Sequence, residues 1–407
     1  MSDLTFGVIG VGQAGVNIAN VFAEKFPAIA LDTHQGNLNE LDNIGRDVRL
    51  HMEISSLGGA GKDPRKGAKA IKKYKKEILD LIKSNLGDCN YIWITGGLGG
   101  GTGTPGVPHL SYFINNHIKK DCGIIATIPP DNEGTDELSN AETGLSKIED
   151  VRQRGKYLKS VMLVENEKLK NKMLNDENSS YEEVWEKGNH HIFNLFNDVY
   201  QFTKKDSKDT MDGEDLMRIL AKSGYVVIAR KQIDIDNTTD QVLINEINSI
   251  WQENIFVEKL EYNKAKGLGI IVNRPKSYSG DGQQINKLLH KVNDFIGSGT
   301  LARGIYSVEE SFTEKLTGES KPLELYVALS GMPFPGDRFS KLQEEARKQR
   351  EEYLNKGNSD DIDLDVVDIN NYLDADDGEE EINFSMFDED EGLEDEEIEE
   401  EWDLDLD

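Results

Sequence analysis

The sequence is poor in the features that mark several protein classes. Two cysteines in 407 residues, Cys89 and Cys122, cannot make a disulfide framework, and no Cys/His cluster has zinc spacing. The adjacent His190 and His191 read as surface or packing residues. No apolar run reaches the roughly 18 residues that span a bilayer, and Met1-Ser2-Asp3 lacks the basic start and apolar core of a secretory signal. A cytoplasmic protein without membrane insertion is expected. No G-x-x-x-x-G-K-[ST] occurs, because Gly61-Lys62 is followed by Asp63 and Ser56 stands where the leading glycine belongs, which excludes a P-loop nucleotide site.

Basic charge is missing from one place in particular. Of 76 Asp and Glu, 25 lie in residues 358–407, where there is no Lys or Arg; the first 357 residues carry 51 acids against 46 bases. Of the net charge of −30, −25 therefore belongs to the tail and −5 to the rest. Its like-charge density predicts disorder over 357–407, and its sign excludes direct nucleic-acid binding.

What is abundant is glycine at strand ends. Six of the eight residues from Gly96 to Gly103 are glycine, directly after the apolar Tyr91-Ile92-Trp93-Ile94. A buried strand that ends in bare backbone and a hydroxyl and then enters a helix makes an anion cradle, with phosphate the obvious guest. The simpler alternative, a turn that needs positive φ, would require only one or two glycines. Gly10-Val11-Gly12-Gln13-Ala14-Gly15 matches the dinucleotide-binding G-x-G-x-x-G, with Asp32 about twenty residues on. A third loop, Leu57-Gly58-Gly59-Ala60-Gly61 with Pro64 and Gly67, repeats the theme. An NAD enzyme needs one such loop, whereas three at one sheet edge imply a triphosphate or larger anion.

Alternating strand and helix patterns predict an α/β fold. They comprise strands over 5–10, 28–32, 91–95, 123–128 and 161–164, and helices over 13–25, 65–84, 105–118 and from 138. This is a doubly wound, mostly parallel nucleotide-binding sheet over residues 1–180. A long central helix from Tyr181 to Thr203 and a loop reaching 212 follow. A smaller α+β domain spans 213–335, a charged surface helix 336–356, and the acidic tail 357–407.

With these residues in view, the chain resembles the tubulin/FtsZ superfamily of filament-forming GTPases over about residues 5–355. Gly99-Gly100-Gly101-Thr102-Gly103-Thr104 is similar to the family's signature loop. Gly12, Gln13, Ala14 and Asn17 fall in its first nucleotide loop, Asp32 in its second, and Gly59, Ala60 and Gly61 in its third, which senses the γ-phosphate. The resemblance implies that Glu133 approaches the ribose, although an arginine common nearby is Glu137 here, and that Asn166 contacts ribose and base. It places Phe193, Asn197 and Asp198 where guanine is stacked and read. A carboxylate can accept the two parallel donors of guanine, N1–H and the exocyclic amine, which adenine lacks. Phe193 could instead be a core residue of the helix, and Asp198 a solvated charge. GTP/GDP and Mg2+ are the implied cofactors, the magnesium held by phosphates and water with no protein ligand.

The resemblance also implies a homopolymer, a head-to-tail filament in which acidic residues of the next subunit complete hydrolysis. Here these are Asp212 and Asp215, with Thr210 where an asparagine is usual in cell-division members. Capping of the following helix is the alternative role for the two acids. Tyr91-Ile92-Trp93-Ile94-Thr95 and Leu329-Ser330-Gly331-Met332-Pro333-Phe334-Pro335 look most like plasmid- and phage-borne bacterial tubulins. That branch implies movement of plasmid or phage DNA through a DNA-binding adaptor, whereas Asp131 to Ala141 is similar to archaeal proteins of cell shape. The acidic tail matches in charge a segment by which phage tubulins grip a neighbour. The lysine-rich Lys62 to Lys76 offers a docking surface on the same or adjacent subunit, and a basic partner or a solubilising bristle are the other readings.

Overall fold

The computed structural model describes residues 4–356 apart from 55–57, 175–179, 206–209, 234–240, 242–244, 247, 251–253, 276–281, 297–299 and 309–322. The acidic tail and Leu57 of the third loop lie outside the described residues.

One ten-stranded sheet runs through the chain. Its strands are β1 (Phe6–Val11), β2 (Ala28–Asp32), β3 (Arg49–His51), β4 (Tyr91–Gly97), β5 (Cys122–Ile128), β6 (Leu158–Glu165), β7 (Gly224–Ile233), β8 (Gly267–Pro275), β9 (Thr300–Val308) and β10 (Leu323–Met332). Helices among the described residues include α1 (Gly12–Phe22), α2 (Gln35–Asn39), α3 (Pro64–Lys73), α4 (Lys75–Leu86), α5 (Gly103–Phe113), α6 (Thr135–Arg154), α7 (Asn166–Met173), α8 (Tyr181–Phe202), α9 (Gly213–Leu220), α10 (Gly282–Ile296) and α11 (Gly336–Lys356). No helix among the described residues is long and apolar enough to cross a membrane.

The order is β3-β2-β1-β4-β5-β6-β7-β10-β8-β9. It is parallel from β3 to β7, antiparallel at β7/β10 and β10/β8, and parallel again at β8/β9. Every residue of β1 and β5 is buried, so both faces of the sheet are covered there and both strands read as unbroken apolar runs. Only two residue pairs, Ser160 with Gly224 and Val161 with Tyr225, join β6 to β7. Beyond them β7 diverges and 255–257 bond to β6 instead, through Glu165 N to Ile255 O (2.9 Å) and Val257 N to Leu163 O (3.1 Å).

The expected helix over 65–84 is two helices, broken at Tyr74 (φ −100°, ψ 17°). Lys69, Lys72, Lys73, Lys75 and Lys76 crowd the junction, and like charges three and four apart oppose a continuous helix. The expected helix over 105–118 starts two residues earlier, at Gly103, and ends in a π turn over Ile114–Ile118 closed by Lys119 in the left-handed region (φ 55°). Strand β3 and helices α2 and α7 are additions to the sequence reading.

Helix α8 is laid against the sheet by aromatics. Phe196 packs edge-on to Phe6 and Trp93 (ring centroids 5.0 and 5.6 Å apart), Phe193 to Phe22 (5.2 Å), and Tyr200 donates its hydroxyl to Leu4 O at 2.9 Å. Phe196 and Tyr200, one turn apart, thereby fix the lower half of the helix beside the start of β1.

Candidate functional site

Three glycine-containing loops meet at the C-terminal edge of β1, β2 and β4. Gly12 (φ 69°) lies so close to the signature loop that a Cβ there would be 2.8 Å from Gly103 N. A Cβ on Gly101 would be 2.8 Å from both Ala60 Cβ and Asp63 N, so the third loop rests on the signature loop as well. The second loop is tied in by Thr33, whose hydroxyl bonds that of Thr102 at 2.7 Å while its carbonyl accepts Gly59 N at 3.1 Å. Asn140 on α6 fastens the far side, donating to Lys62 O (2.9 Å) and Gly99 O (3.1 Å). Thr33 and Asn140 were absent from the sequence-derived site, although each bonds two of its loops.

None of the glycines from Gly96 to Gly103 has positive φ, so turn geometry does not account for them; close approach accounts for Gly96, Gly97, Gly101 and Gly103, where a Cβ would come within 3.0 Å of a neighbour. The open parts of the cradle include Gly61 and Gly100, both exposed and with nothing within 4 Å of a Cβ position, and Gln13, Ala14 and Asn17, which are exposed on α1. Helices α1, α5, α6 and α7 all start at this edge without a side-chain cap, whereas α3, α8 and α9 each carry one. The free N–H groups of uncapped helix starts favour an anion.

Several expected contacts are spent inside the protein. Asp32 is buried, and its carboxylate accepts His34 N (3.1 Å) and Asn37 Nδ2 (2.8 Å), closing the second loop instead of facing its opening. Burial pushes its pKa up against those bonds. Thr104 is fully buried and donates to Leu98 O at 2.7 Å, so its hydroxyl shapes the signature loop. Glu133 is exposed on the loop before α6, beside Glu137, which pairs with Lys62 of the third loop. Asn166 starts α7 with its Oδ1 buried and without a hydrogen-bond partner. Buried acceptors are rarely left so, and a ligand donor would satisfy this one.

Phe193 and Asp198 do not converge. Five residues along a helix turn the side chain by roughly 140°, and each goes to its own neighbours. Phe193 is 4% exposed in the aromatic core, whereas Asp198 accepts Tyr326 Oη at 3.1 Å and lies 3.7 Å from Arg230. Asn197, four residues after Phe193, lies on the side of Phe193 and accepts Gln201 Nε2 at 3.2 Å.

Asp212 and Asp215 form a capping box at the start of α9. Asp212 Oδ1 accepts Asp215 N at 2.9 Å, and Asp215 Oδ2 accepts Asp212 N at 3.4 Å. Asp215 Oδ1 also lies 3.4 Å from Arg218 Nη1. Capping, the alternative role, is therefore realised, and it leaves Oδ2 of the exposed Asp212 uncommitted among the described residues. Thr210 is exposed beside them. Gly213 sits against Leu4, at the opposite end of β1 from Gly12, roughly 26 Å away at the rise of an extended strand.

Residues 6–173, which hold the three loops, match the Tubulin/FtsZ family, GTPase domain. This part of the chain is a Tubulin/FtsZ-family GTPase domain. It is 26% identical over 360 residues to the tubulin-like protein CetZ of Pyrococcus abyssi, covering 85% of this chain and 94% of that one. It is 24% identical over 377 residues to the tubulin-like protein TubZ of Bacillus cereus, covering 86% and 84%. Its fold is similar to the crystal structure of a GTPγS-form protofilament of Bacillus thuringiensis serovar israelensis TubZ, with TM-score 0.73, 20% identity and coverage of 87% and 95%. Through its Tubulin/FtsZ-family GTPase domain, the protein hydrolyses GTP to GDP and phosphate.

A cavity of about 480 Å³ lies elsewhere, between α8, the diverging β7 and the residues Ile250, Asn254 and Ile255, lined also by Lys172, His191, Leu195 and Arg230. Burial, with help from Lys172 and Arg230, pushes the His191 pKa down to about 4. The folded state therefore holds His191 neutral where the unfolded chain, near 6.5, protonates it. Stability carried by this residue is present above pH 6.5 and lost as pH falls towards 4. Thermal melts across that window should show His191→Gln losing less stability than the parent chain; equal losses would refute the assignment.

Proposed function

We propose that this GTPase assembles head to tail, with GTP held in the three-loop cradle at the subunit interface and hydrolysis completed by Asp212 of the adjacent subunit. The observation that carries the reading is the separation of the two halves along β1. An acid at one end of a strand cannot reach a phosphate at the other, whereas stacking two copies end to end brings them together. In this reading Gly12, Gly59, Ala60, Gly61 and Gly99 to Gly103 hold phosphates, Glu133 and Asn166 face the ribose, and Asn197 with Phe193 borders the base. Gln13, Ala14 and Asn17 line the open side, and Mg2+ is held by phosphates and water near Gln13. Thr210 borders the acid. Light scattering that rises on adding GTP and magnesium, and does not with NAD, tests the assembly; no rise would sink it.

Lys62 is the cation at the mouth of the cradle. It pairs with Glu137 across the third loop and α6, the pairing holds its ammonium firmly protonated, and its side chain is 61% exposed. A γ-phosphate should draw it away from the carboxylate. Lys62→Met is expected to weaken GTP binding several-fold more than GDP binding, and Glu137→Gln to strengthen GTP binding. Isothermal titration checks both signs.

The cargo reading is movement of plasmid or phage DNA through an adaptor, supported by the TubZ relative; a cytoskeletal role is supported by the CetZ relative at similar identity. A DNA-bound adaptor that co-sediments with filaments would favour the first. For the acidic tail, the proposed dock is α3 and α4, where Lys66, Lys69, Lys72, Lys73, Lys75 and Lys76 are exposed. Deleting residues 358–407 should raise the critical concentration several-fold at low salt, with the difference vanishing near 0.3 M salt, where the Debye length is roughly 5–6 Å. An unchanged critical concentration at low salt would remove the dock.

A further inference from the structure

Arg338, near the start of α11, is 5% exposed and joins parts of the chain far apart in sequence. Its Nε donates to Glu165 Oε1 at 2.7 Å and its Nη2 to Glu165 Oε2 at 3.1 Å, a two-pronged pair between buried groups. The same Nη2 lies 3.0 Å from Asp131 Oδ1. One turn further on, Lys341 reaches Asp131 Oδ2 at 2.6 Å, so two cations balance two carboxylates. Gln349 Nε2 donates to Asp131 O at 3.1 Å and Gln343 Nε2 to Glu142 Oε1 at 2.7 Å, fixing the rest of α11 along α6.

The two acids occupy telling places. Glu165 ends β6 and immediately precedes Asn166, whose buried Oδ1 lacks a partner; Asp131 lies two residues before Glu133. One arginine from the C-terminal helix thus holds both loops assigned above to the ribose side of the nucleotide. Without it, Glu165 would be a buried charge with only the longer-range attraction of Lys168 to balance it, and would be driven to protonate or move out, carrying Asn166 with it.

We propose that Arg338 is a positioning residue that couples docking of α11 to the nucleotide-facing loops 131–134 and 165–166. This rests on the ribose-side reading of those loops. Coupling of this kind is reciprocal: nucleotide that orders the loops tightens α11, and loosening α11 weakens nucleotide binding. Because α11 ends at Lys356, the coupling carries nucleotide state to the point from which the acidic tail departs.

Hydrogen exchange and fluorescent-GDP titration of the full chain, below the concentration at which it scatters light, test this. In the parent chain, saturating GDP should slow exchange over residues 339–346, which the proposal does not place in contact with nucleotide. In Arg338→Met that slowing should disappear and the GDP dissociation constant should rise about tenfold, with Arg338→Lys between the two. A folded Arg338→Met that binds GDP within twofold of the parent overturns the proposal. So does parent-chain exchange in which loops 131–134 and 165–166 slow with GDP while α11 does not, a result that holds even if the Met variant fails to fold. Loops that do not slow, with Asn166→Ala binding GDP normally, would instead overturn the ribose-side reading and the coupling with it.

Discussion

Asp212→Asn is expected to assemble normally and to hydrolyse GTP about 100-fold more slowly, the lower end of what a positioned acid or base contributes. Asparagine is the informative replacement because the carboxylate has two roles in one place. Its Oδ1 caps α9 by accepting Asp215 N at 2.9 Å, and asparagine caps as well as aspartate does. The fold should therefore lose no more than about 0.5 kcal/mol, whereas Asp212→Ala would lose about 1 kcal/mol from the cap alone. What asparagine removes is the charge at the outward oxygen, the one that a neighbouring subunit's attacking water would meet. Asp215→Asn should do much less to turnover, since Oδ1 faces Arg218 at 3.4 Å and Oδ2 accepts Asp212 N. The sequence assigned the two acids equally to catalysis; the capping geometry separates them. Phosphate release per polymerised subunit, with scattering recorded in parallel, checks the pair. Normal release by Asp212→Asn would end the cross-subunit acid role.

The parallel sheet and the three loops were legible because their signals are local. Buried parallel strands read as apolar runs, and glycine at their ends reads as close backbone approach. What escaped depends on pairs distant in sequence. Thr33 and Thr102 are 69 residues apart, Asn140 and Lys62 78, and Arg338 and Glu165 173, and nothing in either local sequence announces the other. The break at Tyr74 escaped for the opposite reason: the lysines that cause it were read as a binding surface and not as a repulsion within one helix. The resemblance sets Asp198 with Phe193 as the guanine reader, and the acceptor chemistry of a carboxylate supports it. Helical phase turns it towards Tyr326 and Arg230, and puts Asn197 on the side of Phe193.

Gly103→Ala and Gly100→Ala, three residues apart in one loop, are expected to fail in opposite ways. Gly103 opens α5 in a buried position, and a Cβ there would lie 2.4 Å from Gly97 O and 3.0 Å from Gly97 N. Both obstacles are backbone of the same loop and cannot rotate aside, so the loop must open. Overpacking of this kind typically costs about 1–3 kcal/mol, and because the obstacle is backbone the upper end is expected. It should appear as a lower melting temperature with or without nucleotide. Gly100 is exposed, its φ is not positive, and nothing lies within 4 Å of its Cβ position. Alanine should leave the nucleotide-free fold intact, or stabilise it by about 0.4–1 kcal/mol through a less flexible unfolded chain. The methyl group would nevertheless stand in the open part of the cradle. A phosphate oxygen must come within about 2.9 Å of a backbone N–H to be bound, and GTP affinity should drop at least tenfold. Melting curves and nucleotide titrations of the two variants separate the glycine that the fold needs from the glycine that the ligand needs. If Gly100→Ala binds GTP as the parent does, the phosphates do not sit on this part of the loop.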